Sequence, residues 1–480
     1  DTDSDNDGYS DEVDIDPLHD LLVKVQIDSL DIDDPVDYEL VMKSKTIRVP
    51  YLSCSWSGCR IKYKSFKIYY PWIEENRLAE PYFRVRVSDQ WQSENWMHSE
   101  VPVAEDVQHY SSGNPPLFVA NVPDDMDIVG VMVEAWDQDL AFNDQLDIGG
   151  GGADYSYSEL FDLKVATQYQ PGSYVLPLTG SGSSDGSTDS KDFDARISYS
   201  ISLDYELSYQ EQMTLAEQFS PQLYFDVAEI WRPREITALL DHADLMDSTG
   251  TPADFTPTPE ELEAYAGMDY YLDLEDSYHS QDSTEHDLKI YSHVFTAYKD
   301  YIVVQYWFLY LYDLYPPINW HEGDWEMIQL ILPPKGASDV ENLVPDFAGY
   351  SWHNHIERSG WVFDLLSLVT THPVVFVEKG SHASSFLPVG GTFLPEDMSQ
   401  YSIELINNEG WLRFDGPWGE RDGVGFSGSP GPVFRRGWIL SPPHFPGTYG
   451  SIDDAPFIRY EAYMWTDPIF WFAYTNGLTV

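Results

Sequence analysis

Residues 301–332, YIVVQYWFLYLYDLYPPINWHEGDWEMIQLIL, hold two apolar runs separated by Pro316 and Pro317. The first, IVVQYWFLYLY (302–312), is aromatic and β-branched, carries Gln305, and is too short to cross a bilayer as a helix. It predicts a buried strand whose Tyr/Trp stripe is core. The second, DWEMIQLIL (324–332), predicts a strand that returns antiparallel to the first.

Residues two apart on a strand share a face, so Asp324 and Glu326 project together. His321 falls in the connection just before them, and Asp313 ends the preceding strand. One hairpin mouth thus gathers two aspartates, a glutamate and an imidazole. Without a cation such groups would repel one another. Oxygen-rich ligation with one imidazole suits Mg²⁺, Mn²⁺ or Ca²⁺ better than structural zinc, which takes thiolates and more histidines. Downstream, PVVFVEKGSHASSF (373–386) delivers Ser381 and His382 from the end of another strand, with His382 as a further ligand or acid/base group. His353 and His355 in SWHNHIERSG are weaker candidates.

Further out, KIYSHVFTAY and PVVFVEK read as strands, while RPREITALLDHADLM (232–246) predicts a helix. Pro233 suits a first turn there, and Ile236, Leu239 and Leu240 have helical spacing. TPEELEAYAGM (258–268) predicts a second short helix with acidic residues at its N-terminus. Between Leu21 and Tyr205 the texture is β throughout: LLVKVQI, YFRVRV, GVMVEAW and ARISYSISLDY. GSGSSDGSTDS (180–190) reads as a surface loop, and the GxSxG match around Ser184 lacks the strand-to-helix setting of a nucleophile elbow. Residues 410–480 are rich in Gly, Pro and Trp and read as long ordered loops with short strands. The predicted fold is mainly β: two antiparallel β-sandwich-like domains, 21–208 and 209–480, with a few short helices, preceded by an acidic calcium loop at 1–20.

That loop rests on Asp3, Asp5, Asp7, Gly8, Tyr9, Asp11 and Asp14, which occupy positions 1, 3, 5, 6, 7, 9 and 12 of a twelve-residue calcium loop. Calcium needs six to eight oxygens, and alternate carboxylates wrapped around a glycine turn supply them. A second acidic cluster combines Asp31, Asp33 and Asp37 of VQIDSLDIDDPVDY with Asp137, Asp139 and Asp144 of VEAWDQDLAFNDQLDIG. Two such loops at one end of a sandwich can share calcium. No basic strand stands out in this half. Cys54 and Cys59, the only cysteines, flank a short turn and predict a small disulfide, which favours secretion.

The 480 residues include 26 Lys+Arg against 81 Asp+Glu, a formal net charge of −55. That balance excludes nucleic acid and simple attraction to anionic lipid, and makes cations the natural partners. No initiator Met, signal peptide or transmembrane segment stands out.

Several motifs carry resemblances. The DxDxDGYSD run resembles EF-hand loops of the dockerin and thrombospondin type-3 kinds, and the acidic loops with EPYFRVRV (80–87) resemble the calcium-binding sandwich of synaptotagmins and protein kinase C. LAEQFSPQLYF, VQYWFLYLYD, HEGDWEMIQL, VVFVEKGSHASSF and GPWGE…GPVFRRGW, spread over about 210–445, resemble the vacuolar protein sorting-associated protein 62 family. The HxxDWE core is similar to that of necrosis- and ethylene-inducing-like proteins, secreted β-sandwich cytolysins whose motif holds a divalent cation. That resemblance implies Asp313, His321, Asp324 and Glu326 as ligands here. The chain departs from it at Glu322 and Gly323, where the toxins carry Arg and His.

Together these readings predict a secreted or cell-surface, non-catalytic calcium-binding protein that self-associates or binds other surface proteins. The alternatives are a metal-dependent hydrolase at Asp313/His321/Asp324/Glu326, or a cytolysin-like binder of membranes or glycans.

Overall fold

The computed structural model describes residues 21–32, 37–55, 58–76, 81–88, 97–99, 104, 107–122, 128–137, 144–146, 148, 156–162, 175–181, 195–265, 268, 270–315, 319–352, 355–360, 372–388, 391–406, 409–414 and 416–419. For 37–55, 58–76, 156–162, 175–181 and 355–360 it describes the backbone course alone. The expected calcium loop at 1–20, Ser184 and residues 420–480 lie outside the described residues.

The N-terminal strands are β1 (Leu21–Ile32), β2 (Asp37–Ser55), β3 (Gly58–Asn76), β4 (Pro81–Ser88), β5 (Met97–His98), β6 (His109–Ser111), β7 (Leu117–Val122), β8 (Ile128–Asp137), β9 (Asp144–Leu146), β10 (Ser156–Asp162), β11 (Val175–Ser181) and β12 (Ala195–Tyr205). One sheet runs β11-β12-β1-β6 with β7 also on β1; the other runs β10-β8-β4-β5 with β9 on β8. All these pairings are antiparallel. β12 shows why: Ala195, Ile197, Tyr199, Ile201 and Leu203 alternate into the core. In β1 the alternation breaks between Ile27 and Ser29, where the register against β12 slips by one residue at Asp28. That bulge lets Val23, Val25 and Ile27 face the core on one parity and Leu30 and Ile32 on the other.

β2 and β3 form a separate two-stranded ribbon, 19 residues a side, with Cys54 and Cys59 as direct register partners. The sequence reading passed over its charge. Lys43, Lys45, Arg48, Arg60, Lys62, Lys64 and Lys67 lie between Leu40 and Ile73 with no acidic residue among them.

After β12, Ser208 and Glu211 form a capping box that opens helix α1 (Tyr209–Gln218). Then follow β13 (Gln222–Asp226), α2 (Thr237–Leu240), β14 (Ala243–Asp247), β15 (Pro252–Phe255), α3 (Pro259–Leu262), β16 (Tyr270–Leu274), β17 (Lys289–Thr296), β18 (Tyr301–Tyr315), β19 (Asn319–Pro334), β20 (Phe347–Trp352), β21 (His355–Gly360), β22 (Val374–Val377), β23 (Ser384–Ser385), β24 (Phe393–Pro395) and β25 (Ser402–Leu405). The helix expected over 232–246 is a single turn, α2. HADLM leaves it as β14, which is held between β15 and β16. The helix expected at 258–268 is one turn, α3, tightening into a 3-10 turn at Glu263–Tyr265. Thr258 and Glu261 cap it, with Pro259 at its start.

A six-stranded sheet, β21-β20-β19-β18-β17-β25, forms the centre of this half, with a four-stranded sheet, β23-β22-β13-β24, and a three-stranded one, β15-β14-β16. β18 lies inside the large sheet, and every residue from Ile302 to Tyr312 is buried, so its apolar run covers both faces. Tyr306 donates its hydroxyl to Ala216 O of α1 at 2.9 Å. Among the described residues no strand of β1–β12 pairs with a later one, yet the apolar core is continuous through both halves. Phe118 and Tyr298 rings meet at 5.3 Å, and Lys24 Nζ reaches Asp204 at 2.8 Å and Asp300 at 2.6 Å. Buried Glu206 accepts the Thr296 N–H at 2.8 Å.

Candidate metal centre

The β18–β19 hairpin brings Asp313 directly opposite His321 and Tyr310 opposite Asp324. One donor atom from each of Asp313, His321 and Asp324 lies within 4.8 Å of the others, and all three side chains are buried. His321 Nε2 stands 3.4 Å from Asp313 Oδ2 and 3.8 Å from Asp324 Oδ1, while its Nδ1 faces Glu322 O at 3.1 Å. Adjacent ligands around a cation with bonds of about 2.1–2.4 Å lie roughly 3.0–3.4 Å apart, so a small inward shift would bring these three donors onto one ion, with its remaining positions left to other oxygens. Two carboxylates and one imidazole form a hard, anionic donor set.

His321 is part of β19, not of a connection before it, as the sequence suggested. In a regular strand it would face away from Asp324, three residues on. Gly323, with φ +58°, breaks the alternation while β18 and β19 stay in register. His321 therefore joins Asp324 on one face, and Glu322 turns to the other. There Glu322 accepts the Leu274 N–H at 2.8 Å and pairs with His279 Nε2 at 2.7 Å, while the His279 ring stacks on Tyr312 at 4.3 Å. A Cβ on Gly323 would sit 1.9 Å from Trp418 O, and one on Gly419 would sit 2.3 Å from Glu322 O. The GPWG segment (416–419) thus presses its backbone against the turn, which explains why no larger residue stands at 323.

Glu326 faces the same way as Asp324, but its Oε2 takes the Ser351 hydroxyl, and it lies outside the close group of three. Burial, and then the Asp324 charge, push its pKa well above the carboxylate range. His382 is fully buried, with Nδ1 2.8 Å from Asp324 Oδ2 and Nε2 3.6 Å from Glu229 Oε1. Burial alone would strip its proton, but the two carboxylates outweigh this and hold its pKa up at about 10. Glu229 is also opposed by burial, yet His382 and the backbone N–H groups of Gly380 and Trp231 bring it down to about 2. His382 thus sets one positive charge between two carboxylates, Asp324 at Nδ1 and Glu229 near Nε2.

Tyr310 stacks on the His382 ring at 4.0 Å and 7°. The His382 backbone is left-handed (φ +49°), which costs on the order of 1 kcal/mol. The Glu378–Ala383 turn holds it there through the Glu378 N–H to Ala383 O and the His382 N–H to Glu378 O, both at 3.1 Å. Ser381 Oγ and Tyr310 OH are buried without hydrogen-bond partners among the described residues. Glu229, which follows β13, escaped the sequence reading. It comes in on the four-stranded sheet from far away in the chain, so no local spacing marked it.

The N-terminal candidates are placed less fully. Asp31 pairs with His109 Nδ1 of β6 at 2.5 Å. Asp137 and Asp144 are register partners on β8 and β9. Asp3, Asp5, Asp7, Tyr9, Asp11, Asp14, Asp33, Asp139 and His353 lie outside the described residues, as do the side chains of Asp37, Cys54, Cys59, Asp137, Asp144 and His355.

No family model matches the sequence, and no curated protein matches it. The resemblances to the vacuolar protein sorting-associated protein 62 family, to EF-hand loops and to synaptotagmins therefore rest on motifs alone. Similar solved structures include the non-toxic HaNLP3 protein, at 14% identity over 40% of this chain and 74% of that one, with a TM-score of 0.26. A toxin fold described as a basis for microbial attack and plant defense is 16% identical over 46% and 85%, with a TM-score of 0.26. NLPPya in complex with glucosamine is 15% identical over 46% and 85%, with a TM-score of 0.27. Over part of its length the chain is similar to these toxin-fold proteins.

Proposed function

We propose that this is an extracellular, non-catalytic cation-binding protein of a cell surface or assembly, whose C-terminal half is braced by a divalent cation at Asp313, His321 and Asp324. The observation that carries this reading is the convergence of three buried donors within 4.8 Å. A buried anionic pocket costs several kcal/mol for each uncompensated charge, and a cation offsets that cost. Mg²⁺, Mn²⁺ or Ca²⁺ fits the donor set best, with Glu326 as a further oxygen once Ser351 yields. The acidic DxDxDGYSD loop and the clusters at Asp31–Asp37 and Asp137–Asp144 add calcium-type donors. Modules of this kind gain stability from calcium by mass action.

The hydrolase alternative needs an open coordination position. Asp313, His321, Asp324, Glu326 and His382 are each at most 7% exposed, which speaks against it.

The test compares melting of the purified chain in millimolar Ca²⁺ or Mn²⁺ with melting in excess chelator, alongside sedimentation velocity. Wild type is expected to melt several degrees higher with cation and to form larger species. Asp324→Asn should lose the part of the response that belongs to this centre. Equal melting and a compact monomer with cation and with chelator would overturn the reading.

A further inference from the structure

We infer a second cation site, of the zinc class, built by His242, His286 and Glu285. A ring nitrogen from each histidine and a Glu285 oxygen lie within 4.8 Å of one another. His242 Nε2 stands 3.3 Å from Glu285 Oε1, and His286 Nε2 stands 3.1 Å from Asp241 Oδ2. The donors come as two acid–histidine pairs, Asp241-His242 at the end of α2 and Glu285-His286 in the loop after the Asp276–His279 turn. Two imidazoles with carboxylates select zinc and its transition-metal neighbours, unlike the oxygen-dominated set at Asp313.

The surroundings hold the donors in place. Ser283 Oγ lies 2.6 Å from His286 Nδ1; in the tautomer that donates this N–H to Ser283, a cation takes the Nε2 lone pair in place of the present Asp241 contact. Tyr278 OH is 2.7 Å from His242 Nε2 and 3.4 Å from Glu285 Oε1, at the point where the two donors converge. Arg234, itself buried, donates to His286 O at 2.6 Å and to Asp282 at 2.6 Å, pinning the loop that carries Glu285 and His286. The Glu275 N–H to His242 O bond, 2.9 Å, fixes the other wall. The side chains of Glu285 and Asp241 are 65% and 62% exposed, so the carboxylates form an exposed rim over two largely covered rings. The site faces solvent, and a bound ion would keep a position for water or for a ligand from a partner.

The test uses the full chain, stripped with chelator and returned to excess Ca²⁺ and Mg²⁺ so that the harder sites are filled. Zn²⁺ is then titrated by calorimetry and Co²⁺ by its visible absorption. Wild type is expected to bind one equivalent and to develop the intense cobalt band of a four-coordinate nitrogen–oxygen site. His242→Ala/His286→Ala should lose both, and Ser283→Ala should weaken binding about 10- to 100-fold. Glu285→Ala, at an exposed position that spares the fold, should weaken it as well, while Asp324→Asn should leave the equivalent intact. No band in wild type, or an unchanged equivalent in both Glu285→Ala and the double-histidine variant, would overturn the assignment.

Discussion

β1 and β19 both break the two-residue alternation of a strand, by different devices and to different ends. In β1 one extra residue, Asp28, slips the register against β12, and both halves of the strand keep their apolar side chains in the core. In β19 the register against β18 holds, and a glycine in left-handed conformation turns His321 onto the face of Asp324. The first break serves hydrophobic burial. The second gathers buried charge, which is stable only if a counter-ion or cation meets it. A change of strand parity is therefore a neutral tool, and the side chains it redirects decide whether it makes a core or a site.

The largest expected effect comes from breaking the second device. Gly323→Ala places a Cβ 1.9 Å from Trp418 O on a backbone with φ +58°. Backbone cannot yield as a flexible side chain can, so a loss of about 3 kcal/mol or more is expected, measured by denaturant unfolding. Deleting Asp28 attacks the first device. It swings Leu30 and Ile32 out of the core or drags the remainder of β1 along β12, for a cost of about 3 kcal/mol. The two lesions should differ in kind: the Gly323 variant should also lose the part of the cation response that belongs to the Asp313, His321 and Asp324 centre, whereas the Asp28 deletion should keep that part.

A smaller effect sharpens the contrast from within the same large sheet. His293 of β17 is buried opposite Gln305 of β18, with which it shares a side-chain hydrogen bond. Burial lowers its pKa to about 3, from an ordinary value near 6.5. Between those values the unfolded chain binds the proton and the folded one does not, so stability falls as pH drops below 6.5. Chemical denaturation should show a loss of about 1 kcal/mol between pH 6.5 and 5.5, which His293→Gln flattens.

Much of this was legible in residues 301–332. The buried strand, its antiparallel return and the shared face of Asp324 and Glu326 all follow from local periodicity. The placement of His321 did not, because nothing in HEGDWE marks Gly323 as a break in alternation until Trp418 is seen against it. The 232–246 segment failed for a related reason: helical spacing at Ile236, Leu239 and Leu240 yields to strand pairing, which hydrogen-bonds Ala243–Asp247 between two neighbours. The capping box at Ser208 and Glu211 was in plain view and would have located α1.

By itself, then, the sequence determined the β character, the acidic balance and the chemical kinds of donor available, because composition and two-residue periodicity act over a few neighbouring positions. Only the tertiary structure decided which donors meet. Asp324 lies on β19, Glu229 in the segment after β13 and His382 in the turn between β22 and β23, while His242 precedes β14 and Glu285 follows β16 in the chain. Their proximity depends on long-range packing that no local spacing encodes.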